Sequence, residues 1–241
     1  MEQSTWERFL HALKDIYYMP CIVLFASFFL LYTIIKHSRK ERLSYLFLTY
    51  SISCILLFGG LNTQRVFFPT TTRNSTIIDE SSNTFFAIIE LCVFIIFFYK
   101  IIESRISKKF LLFFSAVFFI SVLFFVTKVL DVNSNKSEIL KASILVNIIE
   151  FSIFLIAILS YFIELFKKPP TLDLTQSPSF WISSGLFIYI LVSLPLLFFS
   201  GYIWVENRVL YSLLFAIHFL SLSLLLFTIA KAFLCRRPIV T

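Results

Sequence analysis

The sequence is poor in the residues from which soluble catalytic domains are built. Only 15% of its 241 residues are charged, and only four are glycine. It contains no phosphate-binding glycine loop, no nucleophile elbow and no His-Glu-x-x-His zinc motif, so the common catalytic signatures are absent. The four cysteines form no Cys-x-x-Cys pair, and the loops between apolar segments are too short for a soluble catalytic domain. We therefore predict a non-enzymatic protein with no catalytic residues, no metal site and no cofactor.

Apolar residues take the place of those that are missing: they make up 59% of the chain and include 32 phenylalanines. The mean hydropathy of +0.89 is typical of a membrane protein rather than of a soluble domain. An α-helix of about 20 residues crosses the ~30 Å hydrocarbon layer. Seven apolar runs have about this length, at 16–35, 43–61, 84–102, 110–129, 142–166, 180–204 and 209–233. With no alternating strand pattern, we predict an all-α bundle of seven transmembrane helices, forming a single domain over 16–235.

The first fifteen residues form a separate segment in this prediction. Ser4 and Glu7 stand at the spacing of a helix-capping box, and apolar residues from Trp6 onward recur on one helical face. We expect residues 1–15 to lie on the outer leaflet as an amphipathic interfacial helix. The alternative is a plain extension of the first spanning helix. Residues 236–241 are expected to form a short cytoplasmic tail.

Basic residues predict the orientation of the bundle. If the N-terminus lies outside, thirteen of the 21 Lys and Arg residues fall on the cytoplasmic side and eight on the outside. Cytoplasmic flanks are enriched in Lys and Arg, so we expect the N-terminus outside and the C-terminus inside, in a bacterial inner membrane. The net charge of +7 then indicates topology and attraction to anionic lipids, and not a nucleic-acid surface. Four cytoplasmic cations are candidates for docking a signalling partner: Lys108, Lys109, Lys168 and Arg236.

Two of the predicted spans carry a carboxylate near their outer ends. Glu90 and Glu150 both follow an Ile-Ile pair, and both are expected ~9 to 12 Å below the outer face. An acid in hydrocarbon costs roughly 2.5 to 3.5 kcal/mol and usually faces the bundle interior or a wet cavity. One interpretation is two structural hydrogen bonders, and the other is a proton- or ligand-responsive pocket open to the outside. If the two acids meet, we expect at least one to be protonated near neutral pH, because two close carboxylates do not both ionise cheaply.

Polar and small residues recur on one face of each of the last three predicted helices, which indicates a polar seam inside the bundle. His218 is the only histidine in a span, and a lone histidine there is more typical of interhelical hydrogen bonding than of metal binding. Pro195 is expected to kink helix six. The candidates for the ligand or proton pocket are Glu90, Glu150, His218, Asn147, Tyr189 and Tyr211.

Three further segments carry weaker expectations. Residues 62–83 are rich in Thr, Ser and Asn, and we expect an outside loop that serves as a lid or a tether. Glu103 and Glu164 lie near Lys and Arg at inner helix ends, where they are expected to be solvated or paired. Lys231 lies in a sequence that resembles the retinal-lysine motif of microbial rhodopsins. It is too close to the inner basic end for a mid-membrane Schiff base, so no retinal is expected.

Residues 177–189 read SPSFWISSGLFIY, and the helices with Glu90 and Glu150 both carry Ile-Ile-Glu. Over about 85–200, this pattern resembles small seven-helix membrane proteins of Bacteroidota and, more loosely, the seven-helix input modules of bacterial sensor kinases. The resemblance is carried by Pro178, Phe180, Trp181, Gly185 and Tyr189. It implies a sensory or receptor-like role.

We therefore predict a sensory or receptor-like module, and since no output domain follows Arg237, we expect its signal to leave through a partner protein. The ligand would be a proton or an unidentified small molecule. A small proton-coupled secondary transporter would use the same carboxylates and is the first alternative. An accessory subunit of a membrane complex is the second.

Overall fold

The computed structural model describes residues 19–37, 42–67, 73–131, 134–167, 174–206 and 208–235. The predicted interfacial helix at 1–15 and the tail at 236–241 lie outside these ranges. Within them the chain is all-α, as predicted, with seven helices and a short 3₁₀ turn at Leu174–Gln176. The helices are α1 (Met19–His37), α2 (Arg42–Phe67), α3 (Arg73–Ile101), α4 (Arg105–Leu130), α5 (Lys136–Lys167), α6 (Pro178–Glu206) and α7 (Arg208–Leu234).

Five of these helices, α3 to α7, are long and apolar enough to cross a membrane, so the chain is a multi-pass membrane protein. A helix satisfies all of its backbone hydrogen bonds internally, which is why long Phe-, Ile- and Leu-rich segments adopt it in hydrocarbon. The first two helices carry shorter apolar segments, Cys21–His37 and Ser44–Gly60.

The predicted outside loop at 62–83 is largely helical, and that prediction was wrong. Helix α2 continues to Phe67 and α3 already begins at Arg73. Hydropathy detects the part of a helix that crosses hydrocarbon, but polar turns can extend a helix beyond it. On α3, Ile77 packs against the core, which helps to hold this extension in place.

Six helices form a closed ring in the order α1, α2, α3, α5, α6, α7, with α7 packing back against α1. The fourth helix lies outside the ring, against α5 and, less extensively, against α3. Only 33% of the apolar window of α4 is buried, against 50% for those of α3 and α5. The ring therefore encloses one interior, to which α4 contributes little.

Phenylalanine rings fill this interior at two levels. On α2, Phe47 makes edge-on contacts with Phe94 of α3 and Phe233 of α7. Further along α2, Phe58 makes edge-on contacts with Phe86 of α3 and Phe219 of α7. Edge-to-face geometry is the favoured arrangement for aromatic pairs in a core. The segment of α2 between Phe47 and Phe58 thus runs from one aromatic layer to the other.

The hairpin of α6 and α7 has the most extensive helix contact in the described bundle. Its close approach depends on Gly185, because a Cβ atom there would lie 2.8 Å from Cβ of Thr228 and would overlap the Thr228 hydroxyl. Small residues allow helix backbones to approach closely in membranes. Helix α6 continues through Pro195 without interruption.

Candidate functional site

Glu90 and Glu150 are both buried inside the ring. They project from α3 and α5, which pack against each other, and their side chains are only 2% and 1% exposed. The two carboxyl groups lie close enough to interact electrostatically. Because α3 and α5 are separated by one helix that runs the opposite way, they run in the same direction. Both carboxyl groups are therefore buried within electrostatic reach of each other, while their direct contact stays a prediction.

Glu90 has a strong hydrogen-bond donor on the neighbouring helix. The Tyr50 phenol of α2 donates to Oε1 of Glu90 at 2.7 Å. The Tyr50 ring is fully buried, stacked on Phe86 and edge-on to Phe94. These contacts hold the phenol in place, so the hydrogen bond is built into the packing of α2 against α3.

Glu150 has a different environment. Within the described chain, its Oε1 atom is buried and has no hydrogen-bond partner. No Lys or Arg of the described ranges forms an ion pair with Glu150 or with Glu90. A buried oxygen without a donor is costly, and far more so when it carries charge. The two acids are thus chemically unequal although their sequence contexts match.

A second polar branch approaches the acids from α6 and α7. Tyr189 of α6 is 3% exposed, and its phenol interacts electrostatically with both carboxyl groups and with Ser193. The Ser193 hydroxyl and Nδ1 of His218 are 2.8 Å apart, and the tautomer of the imidazole decides which atom donates. The Tyr189 and His218 rings lie 5.5 Å apart. This branch connects the acid pair to α7.

The structure brings four of the six predicted pocket residues together: Glu90, Glu150, Tyr189 and His218. Asn147 is half-buried, one turn before Glu150 on the same helix. The side chain of Tyr211 lies outside the described part of the chain. The cluster also differs from the expected open pocket, because its acids are buried in the bundle. Phenylalanine rings of several helices pack around the acids, and one sequence alone does not show which of these rings contact each other.

Sequence reasoning missed Tyr50, which is the direct partner of Glu90. A tyrosine in an apolar run is usually taken for an aromatic that packs or sits at the membrane interface. Tyr50 and Cys54 stand four residues apart on α2 and therefore share a face, but this spacing alone does not point to Glu90. Both are fully buried, and Cys54 lies within electrostatic reach of Glu90.

An apolar groove of about 380 Å³ lies between α2 and α3, beside the acid cluster. Phe86 belongs to the wall of this groove and also stacks on Tyr50, so its ring separates the groove from the polar cluster. The other lining residues are Ser53, Leu56, Leu57, Gly60, Ser82, Phe85 and Ile89.

Near the C-terminal end of α5, Glu164 makes contacts that the sequence did not predict. Its carboxylate accepts hydrogen bonds from the backbone N–H of Glu103 at 2.7 Å and of Ser104 at 3.0 Å. These donors lie at the start of α4, where backbone N–H groups lack helical partners and favour negative charge. Glu164 therefore caps the turn between α3 and α4, an interaction that the sequence did not predict.

Two of the four predicted docking cations are described. Nζ of Lys108 lies 4.9 Å from the centre of the Tyr99 ring, and Lys109 is exposed. Both are on the first turns of α4, next to the turn capped by Glu164. Lys168 and Arg236 lie outside the described residues. Lys231 lies in the last turn of α7, where Nζ is 6.0 Å from the centre of the Trp181 ring.

Potential metal ligands do not gather in the described ranges, where no group of three His, Cys, Asp or Glu side chains could hold an ion. None of the known protein-family models matches the chain, and neither curated proteins nor solved structures gave a match.

Proposed function

We propose that this chain is a non-enzymatic, proton-responsive sensory or receptor-like module of the bacterial inner membrane. The observation that carries the proposal is the burial of Glu90 and Glu150 within electrostatic reach of each other inside the helix ring, without a cation beside them in the described chain. Two buried acids without a counter-ion make the bundle less stable than apolar residues at the same positions would. A change in their protonation changes the charge in the ring interior. If two helix arrangements accommodate this charge differently, protonation favours one arrangement over the other.

The proposal includes seven spans, with the N-terminus outside and the C-terminus inside. The two shorter helices are members of the ring, since α1 packs against both α2 and α7. In addition, the Ser51 hydroxyl of α2 donates to the Ser27 carbonyl of α1 at 2.7 Å. The thirteen-to-eight distribution of basic residues supports the orientation.

The proposed output is at the inner face. Helix α5 carries Glu150 in its middle and Glu164 near its inner end, so one rigid helix joins the acid pair to the turn that precedes α4. A shift of α5 would therefore move Lys108 and Lys109, which are positioned by that turn. We infer that a signalling partner docks there, together with Lys168 and Arg236. The resemblance to sensor-kinase input modules agrees with such a role.

A measurement of inner-end distances against pH tests the proposal. Spin labels at Phe166 of α5 and Leu234 of α7, both exposed, report the separation of these ends in lipid nanodiscs. We expect the distance distribution to change between mildly acidic and mildly alkaline pH in the otherwise native protein. Glu150→Gln should abolish the change. Glu138→Gln is the matched control, because Glu138 lies on the same helix but pairs with Lys128 at 3.3 Å.

A distribution that ignores pH, or that responds equally in Glu150→Gln, would contradict a proton-responsive module. The docking part is tested separately in cells, with a photo-crosslinking residue at Lys109. We expect a defined cross-linked product whose yield depends on external pH and which is lost in Lys108→Glu, although the protein remains inserted. Loss of insertion in Lys108→Glu would be detected by fractionation, and Lys100→Glu, on α3, is the comparison.

The second candidate is a small proton-coupled secondary transporter, and the observation that favours it is the unpartnered oxygen of Glu150. Permanent hydrogen-bond donors would stabilise the ionised form of a carboxyl group and hinder its uptake of a proton during transport. Proteoliposomes with an enclosed pH indicator distinguish the candidates. Dissipation of an imposed pH gradient by the native protein, and its loss in Glu150→Gln, would favour the transporter over the sensor.

A further inference from the structure

We propose that the carboxyl pair is asymmetric: Glu150 holds the proton, Glu90 holds the negative charge, and Tyr50 is the positioning residue that fixes this distribution. The inference deepens the proposed function and rests on it for its biological meaning. Its evidence, however, is the geometry around the two carboxyl groups.

The Glu90 side of the pair is built for an anion. The Tyr50 O–H group donates to Oε1 at 2.7 Å, and donation to a carboxylate stabilises the charged form more than the neutral one. The phenol has little freedom to turn away, because Phe86 stacks on its ring and Phe94 lies edge-on to it. Tyr50 therefore presents a fixed donor to one acid of the pair.

On the Glu150 side, the described residues supply no such donor to Oε1. Oε1 of Glu150 has no partner in the described chain and is as fully buried as the rest of its side chain. An ionised group there would have to carry uncompensated charge on a bare oxygen, whereas a protonated group leaves only a weak neutral acceptor unpaired. The proton of the pair is therefore more stable on Glu150.

The neighbours of the pair support the same assignment. Glu150 faces Glu90 from α3 and the Tyr189 phenol from α6. The residues of α4 that are buried include no titratable group: Leu111, Ser115, Phe118, Ser121, Val122 and Phe125. Glu90 additionally faces Tyr50 and Cys54 from α2. A negative charge on Glu90 disfavours a second negative charge on Glu150. Of the neighbours named here, Tyr189 is the hydrogen-bond donor that interacts with both acids.

One consequence is that the cluster carries one negative charge and one exchangeable proton. Removal of that proton would leave two adjacent anions in a space bounded by phenylalanine, and the repulsion between them acts across the contact of α3 with α5. The proton on Glu150 is thereby linked to the separation of two ring helices.

Infrared spectroscopy of the full chain in lipid nanodiscs tests the assignment. A protonated carboxylic acid in a membrane interior gives a carbonyl stretching band that is distinct from the bands of carboxylate. At neutral pH we expect this band in the native protein, in Glu90→Gln and in the control Glu138→Gln, and its loss in Glu150→Gln. We further expect the band to return in the double variant Glu150→Gln with Tyr50→Phe, because Glu90 then loses its donor and takes up a proton.

The last variant separates positioning from packing, since phenylalanine keeps the ring contacts of Tyr50 and removes only its hydroxyl. Loss of the band in Glu90→Gln but not in Glu150→Gln would reverse the assignment. Absence of the band from the native protein would overturn the single-proton pair. Absence of the band from the double variant would overturn the role of Tyr50. If Glu150→Gln does not fold, ¹³C-carboxyl labelling of the native protein and solid-state NMR still decide, through one protonated and one ionised buried glutamate. These readouts require neither a partner nor a conformational response, so their failure is distinct from failure of the proposed function.

Discussion

Gly185→Ala should destabilise the bundle far more than a single methyl group would suggest. The added Cβ would lie 2.8 Å from Cβ and 3.2 Å from Cγ2 of Thr228, and it would overlap the Thr228 hydroxyl. That hydroxyl is not free to rotate away without loss, since it donates to the Leu225 carbonyl at 2.7 Å. Overpacking in a well-packed core costs about 1–3 kcal/mol, and loss of the hydrogen bond adds about 1 kcal/mol. Because alanine is the better helix former by about 0.5–1 kcal/mol, we expect a net loss of about 2 kcal/mol.

The assay is reversible unfolding of the purified bundle in mixed micelles, followed by circular dichroism. Gly60→Ala is the matched control, because a Cβ at Gly60 would meet no atom within 4 Å, and we expect it to be neutral or slightly stabilising. Thr228→Gly should recover most of the loss when combined with Gly185→Ala. Thr228→Ala should recover only part, since its Cβ remains. Equal stabilities of Gly185→Ala and Gly60→Ala would refute the close approach of α6 and α7.

Two further predictions concern the inner face and the orientation. Glu164→Gln should weaken the cap on the turn before α4 by about 1 kcal/mol, which should appear as roughly fivefold faster hydrogen exchange at the Ser104 amide; unchanged exchange would mean that the carboxylate contributes nothing there. A cysteine placed at Arg73 should react with a membrane-impermeant reagent in intact cells, and one at Lys108 should not. The opposite labelling pattern would invert the bundle and place the acid pair in the cytoplasmic half.

Much of the fold follows from hydropathy alone, because the hydrocarbon layer restricts a spanning segment to a helix of known length. The helix ends did not follow. Helices α2 and α3 extend to Phe67 and back to Arg73, where polar turns lie beyond the apolar segment. Hydropathy measures the transfer of side chains into hydrocarbon, and it therefore does not predict helical turns in the polar region.

The acid pair was predictable and its partner was not. Glu90 and Glu150 stand out because each is an acid in an apolar run, and their distances from the predicted helix starts give them a similar expected depth. Tyr50 becomes visible only when α2 is known to pack on the opposite side of α3 from α5. Which helices are neighbours depends on which of their faces fit together in three dimensions. Because phenylalanine is spread over the faces of these helices, the sequence is compatible with several helix arrangements.

We expect the two phenylalanine layers to connect a change of protonation with a change of conformation. Phe47 and Phe58 belong to layers on either side of the segment that carries Tyr50, and each is held by edge-on contacts to α3 and α7. Glu90 and Glu150 are buried in the ring interior, so we expect exchange of their proton with either side of the membrane to require an opening of the ring. Each tenfold difference in proton affinity between the closed and open arrangements shifts their equilibrium by ~1.4 kcal/mol. An acid pair in an open cleft would follow pH without moving the helices, whereas for this buried pair we expect a change of protonation and a change of the ring to occur together.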